Sequence, residues 1–327
     1  MNKRSFIIDQ LKGPIFSIIT PFKKNEKIDY HSLKNYIKYL YFRGAKVFYL
    51  MVYNSRLSLL SEKEIFEINE FCIKVVKKLN KNNIIICAEP YHCSTRKSIE
   101  YVNYLKKRGA DIVSLIFGEK YYSVEQLYKH FKLIHDKTNC HLLLHQQLIE
   151  NGISSSPPYV YYPLKLLKKI SKLEKFIAMK EDAKNEQYTK NICKNLSKNI
   201  SIVTSGGGKK QWLKAAKYGC KSWLSGVSNL DPKIAIDFYE FYKSNDKKNM
   251  NLILKHIEKP FFKIKDRYGW HLTIKAFLEL NNNFKRYERL PLTSLGALEM
   301  SVIKKKFHTI IKRSYLIFGK KYFLRKI

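Results

Sequence analysis

Lys180 closes a short apolar run, 176–179, and is followed at once by Glu181. A run of that length, bounded by charge, suits a buried parallel strand. A lysine at the carboxyl end of such a strand is partly withdrawn from water, which favours its neutral amine. A neutral amine attacks carbonyl carbons. The chain holds 52 Lys and 10 Arg, so a lysine picked at random is a solvated charge, and only position sets Lys180 apart. Other expected strand ends carry Thr20, the group Tyr53, Asn54, Ser55 and Arg56, then Glu89, Glu119, His145, Ser205 with Gly206, and Ser225 with Gly226. His145 and Glu119 are suited to proton transfer, His145 first because imidazole titrates near neutrality. Arg56, Asn54 and Ser55 suit a carboxylate or a sugar hydroxyl, and Gly206 and Gly226 permit close backbone approach. Each of these also has a plainer role as a turn, a strand end or a loop ion pair. Catalysis requires a fold that brings them to Lys180.

Such a fold is legible in the pattern. Apolar runs at 14–19, 46–52, 84–88, 111–117, 140–145, 176–179, 200–204 and 222–225 alternate with helical segments. The helices open on Asp29, on Ser61 with the capping-box spacing to Glu64, near Thr95, at Ser123, near Pro163 and near Lys210. This alternation predicts an α/β chain folded as a (β/α)8 TIM barrel over 12–231, with a C-terminal helical appendage over 232–313 and a basic tail at 314–327. In such barrels the chemistry sits on the loops at the carboxyl ends of the strands, where the polar residues above would converge.

Composition bounds the partners. The formal net charge is +35 over 327 residues, which on its face suits nucleic acid or an anionic membrane. The positive charge is mostly lysine and scattered through nearly every helix, whereas nucleic-acid readers concentrate charge and lean on arginine. Nucleic acid and membrane are therefore not the expected partners. Residues 302–327, with nine Lys or Arg among aromatic and aliphatic residues, read as a solvated terminal helix. No run approaches the roughly 18 apolar residues of a membrane span, and the first ten residues show no secretory signature. Six cysteines without a CxxC pair fit a reduced cytoplasm and supply no metal site.

Several words in fixed order resemble the dihydrodipicolinate synthase / N-acetylneuraminate lyase superfamily over roughly 12–300. They are Thr20-Pro21-Phe22, the segment 60–64, Ser94-Thr95-Arg96, the segment 127–131, Ala178-Met179-Lys180-Glu181, Ser205-Gly206 and the string 222–232. The resemblance implies the barrel, and it implies that Lys180 forms a Schiff base with the keto carbon of a 2-oxo acid. It implies no dissociable cofactor, and a homo-oligomer, with a tetramer favoured. The departures matter as much. The family's Gly-Thr-Thr-Gly-Glu carboxylate loop is replaced by 52–56, its turn after strand three by 89–91, its Pro-Tyr-Tyr word by 117–119, and its strand-five tyrosine by His145.

The expected activity is thus a class I aldolase-type lyase acting on a 2-oxo acid or sugar acid, with altered specificity. Lys180 is the nucleophile, His145 the proton-transfer group and Glu119 its reserve. Thr20, Tyr53, Asn54, Ser55, Arg56, Ser205, Gly206, Ser225 and Gly226 are the expected substrate contacts. Two other readings stay open: a catalytically impaired relative that kept the barrel, and a cationic binding protein acting through its carboxyl tail.

Overall fold

In the computed structural model, residues 3–50, 53–90, 93–117, 122–147, 161–183, 185–224 and 226–323 are described. Eight parallel strands close a barrel in sequence order: β1 (Gly13–Ser17), β2 (Val47–Leu50), β3 (Ile84–Ala88), β4 (Ile112–Leu115), β5 (His141–Gln147), β6 (Phe176–Asp182), β7 (Ser201–Ser205) and β8 (Ser222–Leu224). A short helix, α1 (Lys3–Gln10), precedes the barrel. Around it lie α2 (Tyr30–Phe42), α3 (Glu62–Leu79), α4 (Thr95–Arg108), α5 (Val124–Lys137), α6 (Leu164–Ile170), α7 (Glu186–Leu196) and α8 (Gly208–Ala216). The appendage follows as α9 (Pro232–Lys243), α10 (Lys247–Ile253), α11 (Lys259–Tyr268), α12 (Trp270–Leu280) and α13 (Ala297–Phe318).

Local chemistry sets these boundaries. Ser61 accepts from the Glu64 N–H while Glu64 accepts from the Ser61 N–H, so the capping box fixes where α3 begins. Glu64 also takes both ends of the Arg289 guanidinium, at 2.6 and 2.9 Å, tying α3 to the chain beyond α12. Asp231 starts α9 by accepting from Lys233 N–H, with Pro232 at the first helical position. On the outer face of the sheet, Trp223 of β8 meets Trp212 of α8 with ring centroids 4.3 Å apart, and both rings are fully buried. That contact shows which face of β8 looks toward the helices.

Two features differ from the sequence reading. Within the helical appendage expected over 232–313, the continuous helical run from Lys247 to Tyr268 carries a π-type turn at Leu254–Glu258, whose Glu258 is buried between α10 and α11. The carboxyl segment from residue 302, in α13 and beyond it, is not merely solvated. Phe307, Ile310, Ile311, Tyr322 and Phe323 are buried, and the Phe323 N–H donates to Asp231 Oδ2 at 2.7 Å. The basic residues of this segment thus lie on the outer side of an amphipathic element whose apolar side docks. Among the described residues no helix is long and apolar enough to cross a membrane, and all six cysteines are free and buried.

Candidate active site

Paired residues in a parallel ladder point the same way, and alternate residues along a strand point to opposite faces. With Trp223 facing the helices, its neighbour Leu224 faces inward, and the register carries that face around the barrel. Leu224 pairs with Ser205 and Ile15, Ser17 with Tyr49, Tyr49 with Ile86, Ala88 with Ser114, Ser114 with Leu143, and His145 with Lys180. The inner face toward the carboxyl ends therefore holds Ser17, Tyr49, Ser114, His145, Lys180 and Ser205. Asp182, two residues past Lys180 on the same strand, continues that face. Two inner-face residues meet directly across β3, with Tyr49 Oη and Ser114 Oγ 2.6 Å apart.

Lys180 is fully buried. Its Nζ lies 2.7 Å from His145 Nε2 and donates to Asp182 Oδ2 at 2.9 Å. An ammonium has donors only, so beside a charged Lys180 the His145 Nε2 accepts and the ring proton sits on Nδ1. The amine is thus held between a proton acceptor and an anion, away from bulk water. Glu181 points to the other face. Its carboxylate accepts from Ala183 N–H and from Thr189 Oγ1, both at 2.6 Å, anchoring the turn after β6 to α7. Burial, outweighing those two bonds, pushes the Glu181 carboxyl up.

The other expected contacts divide into groups. Thr20 Oγ1 donates to the Ser55 carbonyl and Ser55 Oγ to the Ile18 carbonyl, so the β2 loop is knitted to the end of β1. Asn54 donates to Ser17 Oγ at 3.1 Å and accepts from the Trp270 indole N–H at 3.0 Å. Trp270 also covers Gly226, where a Cβ would fall 2.6 Å from the indole and 2.3 Å from Ile274. Gly226 is required by that close packing of α12 on the barrel mouth. Tyr53 is half-buried against the core. Arg56 adopts a left-handed backbone, φ 59°, and its Nε lies 3.6 Å from Glu288 Oε2. Glu288 also faces Lys275 Nζ at 3.2 Å. Burial lowers the Arg56 and Lys275 pKa values, Lys275 to about 8, against the opposing pull of Glu288. Ser205 is buried on the inner face, with Gly206 next to it at φ 86°. Glu119 and Ser225 lie outside the described residues.

Sequence reasoning missed Asp182, Tyr49 and Ser114. The signal was period two: on a strand, Lys180 fixes residue 182 to its own face, and an inward β2 must present Tyr49 between Phe48 and Leu50. Burial raises the Tyr49 pKa, with the Asp182 charge adding to it against the Ser114 bond, so the hydroxyl stays protonated. Glu89, another strand-end carboxylate, is buried on the helix side, accepts from Ile116 N–H at 2.9 Å, and is pushed by burial up to about 8. Among the described residues no group of three or more His, Cys, Asp or Glu side chains is placed to hold a metal ion.

A closed (β/α)8 barrel with a lysine buried at the carboxyl end of its sixth strand, and appended helices over its mouth, fits the architecture of lysine-dependent lyases. Residues 10–313 match the dihydrodipicolinate synthetase family, and the chain belongs to it. The 4-hydroxy-tetrahydrodipicolinate synthase of Thermodesulfovibrio yellowstonii is 23% identical over 94% of this chain and 99% of its own. Among solved structures, dihydrodipicolinate synthase from Oceanobacillus iheyensis superposes with a TM-score of 0.78 at 17% identity, covering 94% of this chain and 100% of its own. N-acetylneuraminate lyase from Fusobacterium nucleatum gives 0.79 at 17% identity, covering 92% and 99%. Full-length kinship at such identity marks a divergent member, and the named synthases and lyase around it place the chain among enzymes of lyase type.

Proposed function

We propose that the protein is a Schiff-base-forming lyase that makes or breaks a carbon–carbon bond next to the keto carbon of a 2-oxo acid or sugar acid, with non-standard substrate specificity. The observation that carries this reading is the buried Lys180 Nζ held 2.7 Å from His145 Nε2 at the carboxyl end of β6.

The protons balance on the residues present. His145 takes one proton from the Lys180 ammonium, leaving a neutral amine. The amine nitrogen bonds to the keto carbon, and the carbonyl π pair moves to oxygen. That oxygen receives one proton from the amine and one from the His145 imidazolium and departs as water, leaving an iminium on Lys180. The iminium is the electron sink for the adjacent bond. His145 then serves as acid or base for the fragment, with Glu119 held in reserve. Ser205, Gly206, Ser225 and Gly226 edge the pocket in this reading, with Thr20, Tyr53, Asn54, Ser55 and Arg56 on its β1–β2 side. The reading also takes the protein to be a cytoplasmic homo-oligomer, a tetramer by preference, that needs no cofactor.

One exclusion narrows the substrate. Barrels commonly hold phosphate at the helix N-terminus after β7. Here Glu258 fills that place, accepting from Lys209 N–H at 2.9 and 3.1 Å, from Lys210 N–H at 3.3 Å and from Lys209 Nζ at 3.2 Å. Gly208, at φ 71°, lets the carboxylate approach, since a Cβ there would lie 2.7 Å from Glu258 Oε1. A substrate lacking phosphate at that end is expected.

A second reading, a catalytically impaired relative that acts as a binding or structural protein, is favoured by Thr20, Asn54 and Ser55. Their side chains bond to the protein itself rather than standing open as a carboxylate cradle. Hydride trapping with pyruvate and 2-oxobutyrate separates the two. An adduct confined to Lys180 supports the lyase, and labelling that persists in Lys180→Ala contradicts it.

A further inference from the structure

We infer that Asp182 is the counter-ion of the Lys180 iminium, the group that keeps the Schiff base charged so that it can withdraw electrons. This rests on the lyase reading above and adds a catalytic residue to it. The spacing is decisive: on β6, position 182 shares the face of position 180, so the carboxylate and the amine point into the same barrel interior. The distance follows, Nζ to Oδ2 at 2.9 Å, with the Lys180 side chain fully buried and that of Asp182 15% exposed.

Charge accounting gives the pair its purpose. Across Schiff-base formation an ammonium and a ketone become an iminium and water, so the nitrogen is +1 at both ends. It is neutral as the attacking amine, in the carbinolamine that precedes loss of water, and in the enamine that follows bond cleavage. An anion in contact with a buried nitrogen stabilises the ammonium and the iminium and disfavours the states in which the nitrogen is neutral. Asp182 thus holds the resting ammonium in place and maintains the electron sink, while His145 on the other side moves the proton that the neutral states require. Among the described residues, further titratable groups that bear on the pair include Glu181, on the opposite face of β6 and bonded to Thr189, and Tyr49 from β2, whose burial keeps it neutral. Among the described residues Asp182 is the carboxylate that touches Nζ.

The test reads Lys180 itself. Formaldehyde with cyanoborohydride methylates an amine through its own iminium and needs no knowledge of the substrate. The yield at Lys180, followed by peptide mass spectrometry, is bell-shaped in pH: it needs neutral amine on one side and protonated imine on the other. Removing an opposite charge in contact shifts such groups by about 1–3 units. Asp182→Asn is therefore expected to move the whole bell down in pH by about that amount, and Asp182→Glu to restore most of it, with melting curves showing both variants folded. The same downward shift is expected for the alkaline limb of a pyruvate adduct. A bell unchanged in Asp182→Asn overturns the counter-ion role whatever the substrate. A shift confined to the acid limb, with the iminium limb fixed, reduces Asp182 to a structural partner of the ammonium and also overturns it. Failure of the 2-oxo acids to label wild type at Lys180, with the formaldehyde bell still shifted, sinks the lyase reading instead.

Discussion

Lys180 and His145 occupy paired register positions on β6 and β5, and their side-chain nitrogens approach to 2.7 Å. Strand pairing alone therefore brings the proposed nucleophile and base together, and neither depends on a loop for its position. If His145 moves the protons, His145→Ala should lower turnover by about 10²–10⁴-fold, the usual range for such a group. Formation of a trappable adduct at Lys180 should suffer far less once time is allowed for it. Steady-state rates beside end-point trapping check this, and unaltered turnover would leave Glu119 as the candidate.

Lys209 and Glu258 form a buried ion pair whose carboxylate also caps α8. Breaking one side of such a pair leaves a buried charge unmatched, at a cost of about 3–5 kcal/mol. Glu258→Ala should lower the denaturant midpoint accordingly. Lys209→Met with Glu258→Leu should recover only part of the loss, because it removes the unmatched charge but leaves the Lys209 and Lys210 N–H groups without their acceptor. Chemical denaturation of the single and double variants measures both.

Glu89 makes stability depend on pH. Its carboxyl is raised from 4.5 to about 8, chiefly by burial, so the folded state holds a proton that the unfolded state has released. The stabilisation is complete below about pH 4.5, declines as pH rises, and is gone above about pH 8, at roughly 1.4 kcal/mol per unit. Glu89→Gln should flatten that slope, and it should be at least as stable as wild type at pH 8. Melting temperatures of the two proteins between pH 5 and 9 decide it.

The docked carboxyl segment predicts an effect of truncation. A chain ending at Lys306 loses buried Phe307, Ile310, Ile311, Tyr322 and Phe323 and the bond from Phe323 N–H to Asp231. One such aromatic alone is worth about 3–5 kcal/mol. The shortened protein should therefore unfold at clearly lower denaturant.

Period and capping made most of this fold legible. The β3 run 84–88 and the helix beginnings at Asp29, Ser61, Thr95 and Ser123 lie where alternation and cap chemistry put them. The sequence reading assigns no residues to α7, yet Thr189, Ile192, Cys193 and Leu196 carry the i, i+3, i+4, i+7 stripe that α7 buries. The end of β6 was harder to read, because Lys180, Glu181 and Asp182 look like solvated charge. Only pairing with β5 through Gln146 and Gln147 extends the strand to Asp182. The tether from Asn54 to Trp270 spans 216 residues, a separation on which no local pattern bears.

The most direct test is reduction of the Schiff base itself. Wild-type protein, treated with borohydride in the presence of pyruvate, 2-oxobutyrate or a 2-oxo sugar acid, should gain the mass of one reduced adduct on the peptide containing Lys180. The other lysines of the same chain serve as an internal control, since solvated ammonium groups react slowly and without selectivity. Lys180→Ala should remain unlabelled. Specific labelling that persists in Lys180→Ala, or that falls on another lysine in wild type, would contradict the assignment of Lys180 as the nucleophile.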